Sequence, residues 1–329
     1  DLFGDEGLVA AAASTLARTP AAQRTPLCGA LFATLEGRAA MVEGDLDRAL
    51  AAVQGFEAPL RALAAAKHAK GGAARLLLAD QRATRIDLIL SCSARLKDRA
   101  LAELATSEAK AALEGLDSDF EPLAWGRLAC LRGAALVHLG DLDGEIARIA
   151  EGVEAITDAG QVSLDHSPMD WARAQALLGA ALQTMGEATA SERVFEQAVS
   201  AYDRATQILK VQPALALRAN VANNRALCLA RCAELTADLA VLDAAELAFK
   251  AELAEVRGAR DPASWAVAQM NLARLYEARV DITGRDDGRL ARAGVALAAA
   301  FDIFSELGLR SLTDLAAQGL QRLQRAPAV

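Results

Sequence analysis

The chain is poor both in the residues that build sheets and in those that do chemistry. Its 329 residues hold 13 aromatics, 8 prolines, 5 cysteines and 3 histidines. Scarce aromatic and β-branched strand formers argue against sandwiches, barrels and doubly wound α/β folds. The cysteines (Cys28, Cys92, Cys130, Cys228, Cys232) are odd in number and scattered, so they make no disulfide framework. Free thiols favour a cytoplasmic location. A periplasmic one is the alternative if the N-terminus, DLFGDEG, follows a cleaved signal; a chain trimmed from a larger protein would look the same. No apolar run approaches the roughly 18 residues of a membrane-spanning helix, so no membrane insertion is expected. There is no Lys/Arg-rich run and the net charge is −8, which argues against nucleic acid as the ligand.

Catalytic signatures are equally sparse. His68, His138 and His166 stand alone, with no H-E-x-x-H pair, no phosphate-binding G-x-x-x-x-G-K-[ST] and no nucleophile elbow. Cys228 and Cys232 lie four apart on one helical face, as two metal ligands could, but no second pair accompanies them. Small apolar packing is the favoured reading. The segment DITGRDDGR lacks the spacing of an EF-hand loop and reads as a turn. No catalytic residue, metal or cofactor is therefore assigned, and an enzyme is not expected.

What the chain has in abundance is helix former. Alanine supplies 79 positions and leucine 50, which together predict an all-α protein. With so much alanine, the core must be built from close helix contacts. The prolines mark a period: Pro122, Pro168, Pro213 and Pro262 are 46, 45 and 49 residues apart, and Pro26 lies two periods before Pro122. Each falls where a helix should begin. Glu121, Ser167 and Asp261 precede three of them as candidate caps. Three residues after three of the prolines stand Trp125, Trp171 and Trp265, which read as core anchors. Eleven after come Gly37, Gly133, Gly179, Asn224 and Ala273, mostly small, in the middle of the same helical face. A second helix follows in each period, marked by Ala201-Tyr202, Ala248-Phe249 and Ala300-Phe301.

This patterning predicts antiparallel helix pairs, with helices near 27–43, 46–67, 73–92, 95–115, 122–139, 142–157, 168–185, 189–210, 213–232, 235–257, 262–280, 287–306 and 309–325, and a further one near 5–18. The organisation expected is an N-terminal helix and linker over 1–25, one continuous repeat array over 26–307 and a capping helix and tail over 308–329. Residues 71–116 form a degenerate repeat with no proline.

The segments EGRAAMVEGDLDRALAAV and RGAALVHLGDLDGEI carry a small residue, a Gly-Asp-aliphatic turn and a second helix: Gly37, Gly44, Asp45, Leu46 and Ala49 in one, Gly133, Gly140, Asp141 and Leu142 in the other. They resemble tetratricopeptide repeats. SPMDWARAQALLGAAL and DPASWAVAQMNLARLY resemble a longer-period bacterial variety with W-A-x-x-Q in the first helix. The resemblance implies a TPR-like α-solenoid, a superhelix of about six repeats, whose concave groove binds a protein segment.

Arginine recurs on the first-helix face opposite the core. Arg127, Arg173 and Arg218 stand five residues after their prolines, and Arg38, Arg225 and Arg274 twelve after. Offsets five and twelve share a face, two turns apart. With Asn271 nearby, Arg127, Arg173, Arg218, Arg225 and Arg274 form the candidate partner-binding groove, a guanidinium ladder suited to a protein or peptide with acidic groups. Asn220, Asn223 and Asn224 offer amides to a peptide or, more in keeping with their helix, a buried polar network. The function expected is a non-enzymatic scaffold or adaptor; the alternative is a ligand-responsive regulator of an effector.

Overall fold

The computed structural model describes residues 25–325 apart from 44, 66–71, 165, 212–214, 237 and 256–261, together with a few positions between 11 and 20. No strand occurs among the described residues, and the protein is all-α. Two compact units divide it within the helix Pro168–Thr189: one up to Thr184, the other Met185–Val329.

The N-terminal unit contains α1 (Pro26–Glu43), α2 (Leu46–Gly55), α3 (Glu57–Ala65), α4 (Gly72–Leu96), α5 (Arg99–Leu113), α6 (Pro122–Asp143), α7 (Ile146–Leu164) and most of α8 (Pro168–Thr189). The C-terminal unit continues with α9 (Glu192–Leu209), α10 (Leu215–Thr236), α11 (Leu239–Glu255), α12 (Pro262–Thr283), α13 (Arg289–Glu306) and α14 (Arg310–Arg325). From α1 to α7 in one unit and from α9 to α14 in the other, each helix packs against the next in sequence, and α4 also packs on α1 and α6, as α10 does on α12.

Pro26, Pro122, Pro168 and Pro262 each open a helix, as expected of a residue with fixed φ and no N–H. Pro213, Asp261 and Gly44 lie outside the described residues, as does most of the helix expected over 5–18. Ser167 does cap: its Oγ accepts from the Asp170 N–H at 3.2 Å. Glu121 does not, because its carboxylate is engaged elsewhere, taking Arg75 and the Asp117 N–H.

Close contact of α6 and α7 is made by missing side chains. A Cβ on Gly133 would lie 2.8 Å from the Gly152 carbonyl and 2.6 Å from Ile156 Cγ1. One on Gly152 would meet Val137, and one on Gly140 would meet Ile149. The order 133 to 156, 137 to 152 and 140 to 149 runs in opposite directions, so the pair is antiparallel. The turn expected at Gly140-Asp141-Leu142 therefore lies inside α6. Gly144, at φ 68°, ends the helix instead.

The single helix expected over 46–67 is two. Pro59 cannot donate to the Gly55 carbonyl, the chain bends at the fully buried Phe56, and α3 begins with Pro59 in its first turn. Buried Arg85 reinforces the bend, donating from Nε to the Val53 carbonyl at 3.1 Å and pairing with Glu108.

Each unit has its own core of alanines around a few large side chains. In the N-terminal unit these are Phe56, Ile86, Ile89 and Leu128; in the C-terminal unit Leu242, Leu275 and Phe304. Each contributes roughly 1.5–3 kcal/mol by burial. Trp125, Trp171 and Trp265 are half-buried, and Trp265 packs against the C-terminal core.

Candidate functional site

In the N-terminal unit the first helices of successive pairs, α1, α4, α6 and α8, bring charged residues near one another. Arg127 of α6 pairs with Asp80 of α4 and reaches Thr84 Oγ1 at 3.5 Å. Arg173 of α8 pairs with Asp170 of its own helix at 3.2 Å. Both arginines act on Asp87 of α4, open to solvent on one side but crowded by protein. That desolvation raises its carboxyl above the usual carboxylate range, against the pull of Arg127, Arg38 and Arg173. Burial lowers the guanidinium of Arg38 on α1, opposed by Asp87 and Asp80. The six charges are three cations and three carboxylates.

A cleft of about 260 Å³ opens on α4 and α6. Leu76, Ala79, Ala83, Leu123 and Ala124 line it with apolar surface, and Asp80, Arg127 and Asp170 supply its charge. Cavities of about 150 Å³ already admit benzene, so one large side chain fits. Phe120, just before α6, is 82% exposed, and Leu76 and Leu123 are partly open as well.

Sequence reasoning found Arg127 and Arg173 and noted Arg38, but missed the carboxylates that neutralise them. A signal existed. Asp80 and Asp87 stand five and twelve residues after position 75, which lies 47 before Pro122, one period. The degenerate repeat keeps the register of the arginine face with its charge reversed. Without a proline to mark that register, the match went unseen.

The candidates of the C-terminal unit serve other ends. Arg225 of α10 points at α9, donating from Nε to Asp203 at 2.6 Å. Arg274 pairs with Glu277 at 3.2 Å on its own helix, and Glu277 also takes Arg322 of α14 at 3.3 Å. Burial and the neighbouring Arg322 lower the Arg274 guanidinium. Arg218 is half-buried on α10. Asn271 is 0% exposed and neither of its amide atoms has a partner, so it belongs to the core of α12 and cannot line a groove. Its place in the repeat is that of the buried Leu131. Asn223 donates to Asn224 at 3.3 Å, Asn224 to Asn220 at 3.2 Å, and Asn224 bonds the buried Tyr202 of α9. The asparagines thus bond one another and α9, but Asn220 is exposed and the other two are half-buried, so the run is not a buried network.

Burial pushes the Cys228 thiol up to about 12 and that of Cys232 up to about 11, which suits apolar packing. Among the described residues no group of three His, Cys, Asp or Glu could hold a metal ion, and no helix is long and apolar enough to cross a membrane. Within DITGRDDGR only residues 284–288 form a turn, between α12 and α13, with Gly284 and Gly288 at positive φ and Asp286 accepting from the Leu290 N–H at 2.9 Å.

No family model matches the chain, and no curated protein matches it. Among solved structures it is similar to the crystal structure of BtubC (BKLC) from P. vanneervenii, at 20% identity over 80% of this chain and 92% of that one, with a TM-score of 0.47.

Proposed function

We propose that the protein is a non-enzymatic adaptor whose helix pairs form an α-solenoid of the tetratricopeptide kind, and that it binds a segment of a partner protein on the first-helix face of its N-terminal unit. The cleft on α4 and α6 carries this reading. It combines an apolar floor, a charged rim and room for one side chain, which is how peptide anchors are held. The antiparallel contact of α6 and α7 and the packing of α4 on both α1 and α6 support the repeat arrangement.

Neutralisation of Arg127 by Asp80 and of Arg173 by Asp170 alters the expected basis of recognition. An acidic partner would have to displace these internal partners, so the apolar cleft is placed ahead of the arginine ladder as the source of affinity. A ligand-responsive regulator would need free polar groups in the run Asn220–Arg225, and the hydrogen bonds seen there are made within the C-terminal unit.

The test is selection of peptides from a random display library on the intact chain, followed by affinity measurement against Leu76→Ser/Leu123→Ser. These exposed positions give the cleft its apolar surface, and the change removes it without altering charge. Peptides should bind the native chain and lose at least tenfold in affinity with the variant, while its circular dichroism stays native. Peptides that bind both equally would move the interface off the cleft.

A further inference from the structure

Phe120 and the cleft belong to one patch of surface. The ring is 82% exposed, and Leu123 and Ala124 of the cleft stand three and four residues after it, within about one helical turn. The backbone on either side of the ring is tied down. The Glu121 N–H donates to the Asp117 carbonyl at 2.8 Å, and the Asp119 N–H to Asp117 Oδ1 at 2.8 Å. The Glu121 side chain is buried, where it holds Arg75 of α4 and the Asp117 N–H. Phe120 is therefore held out into water by a fixed turn, with most of an aromatic face hydrated. A presented ring and an open pocket lie side by side, and their sizes match, since about 150 Å³ admits benzene and the cleft has about 260 Å³.

We propose that two copies of this chain associate about a two-fold axis through this patch, the Phe120 ring of each seated in the α4–α6 cleft of the other, against Leu76 and Leu123. A projection and its pocket on one patch are satisfied reciprocally by a two-fold axis, whereas on opposite faces they would propagate a filament. The charge of the rim fits such an occupant. Asp80 pairs with Arg127 and Asp170 with Arg173, so each rim is balanced and two rims do not repel. A phenyl ring leaves these pairs as they are, while a charged side chain would have to compete with an internal partner. Two rings and the leucines around them make a contact below the size of a stable interface, so the dimer is weak and concentration-dependent. In the adaptor reading the partner's anchor and the second copy compete for the cleft. Self-association does not depend on that reading.

Sedimentation equilibrium of the intact chain, from micromolar to millimolar concentration, is the test. The native chain should pass from monomer to dimer. Phe120→Ser, at a position exposed enough to leave folding untouched, should weaken the dimer at least about a hundredfold, about tenfold for each of the two rings removed. Leu76→Ser/Leu123→Ser should weaken it from the other side of the contact. Salt should tighten the dimer by screening the repulsion between two chains of charge −8. p-Benzoylphenylalanine in place of Phe120, irradiated in a mixture of isotopically light and heavy chains, should cross-link to α4 or α6 of the other copy. A native chain that stays monomeric, a dimer indifferent to Phe120→Ser or loosened by salt, or cross-links confined to one chain overturn this inference. Cleft-binding peptides found with a monomeric chain leave the adaptor reading standing alone. A cleft-dependent dimer for which no peptide is selected removes the adaptor reading and leaves self-association.

Discussion

Adding one methyl group at Gly133 tests whether close helix contact, rather than helix propensity, governs the stability of the α6–α7 pair. Alanine in place of a mid-helix glycine ordinarily stabilises by about 1 kcal/mol. At Gly133 the new Cβ would sit 2.8 Å from the Gly152 carbonyl oxygen, 3.2 Å from the Ile156 nitrogen and 2.6 Å from Ile156 Cγ1. Two of these three atoms are backbone and cannot rotate away, so the helices must part. Overpacking of this kind costs typically 1–3 kcal/mol, and the backbone overlap places this case near the top of that range. The expected net effect of Gly133→Ala is destabilisation by about 2 kcal/mol. Gly294→Ala is the control. It lies inside α13, where the nearest atom to a new Cβ is Leu323 Cδ1 at an ordinary 3.9 Å, so propensity should win and stability rise by about 0.5–1 kcal/mol. Urea denaturation followed by circular dichroism, with unchanged slope, reads both. A neutral or stabilising Gly133→Ala would refute the argument that missing side chains hold this pair together.

Asn271→Leu keeps the branching of the side chain and removes two buried polar atoms that have no partner; it should stabilise by about 1–3 kcal/mol in the same denaturation assay, and a loss would mean that the amide is satisfied after all. Because the folded Asp87 carboxyl is raised, the native state takes up its proton more readily than the unfolded chain, a contribution present at low pH and lost as pH rises through the folded value. Asp87→Asn should then raise the melting temperature at neutral pH, with the gain vanishing below the ordinary value of 3.8; a gain independent of pH would contradict the cause. Cys28 is only half-buried and hydrogen bonding with Thr25 lowers its thiol, whereas burial raises Cys92, and pushes Cys130 and Cys228 up to about 12 and Cys232 up to about 11. A thiol-reactive dye at pH 8 should label Cys28 quickly and the other four at the rate of unfolding, as counted by mass spectrometry.

Composition and period by themselves determined the class of the fold and most helix starts. An alanine-rich chain with prolines every 46 or so residues has few alternatives to paired helices, since proline stops one helix and opens the next whatever surrounds it. The small residue at Gly133 foretold the close approach because only the absence of Cβ permits it. What one helical face does is a different matter, because a helix has three or four faces and the sequence does not say which neighbour each one meets. Arg127, Arg173 and Arg225 repeat at matching offsets, yet two are neutralised along the first-helix face of one unit and the third turns to α9 in the other. Asn271 sits at the position of Leu131 and, like it, lies in the core. The bend at Phe56 and the extension of α6 to Asp143 were likewise settled by packing, against Arg85 in one case and Ile149 in the other. Asp80 and Asp87 reveal their role only in the folded chain, because charge has no period of its own and its effect depends on which opposite charge tertiary structure brings within reach.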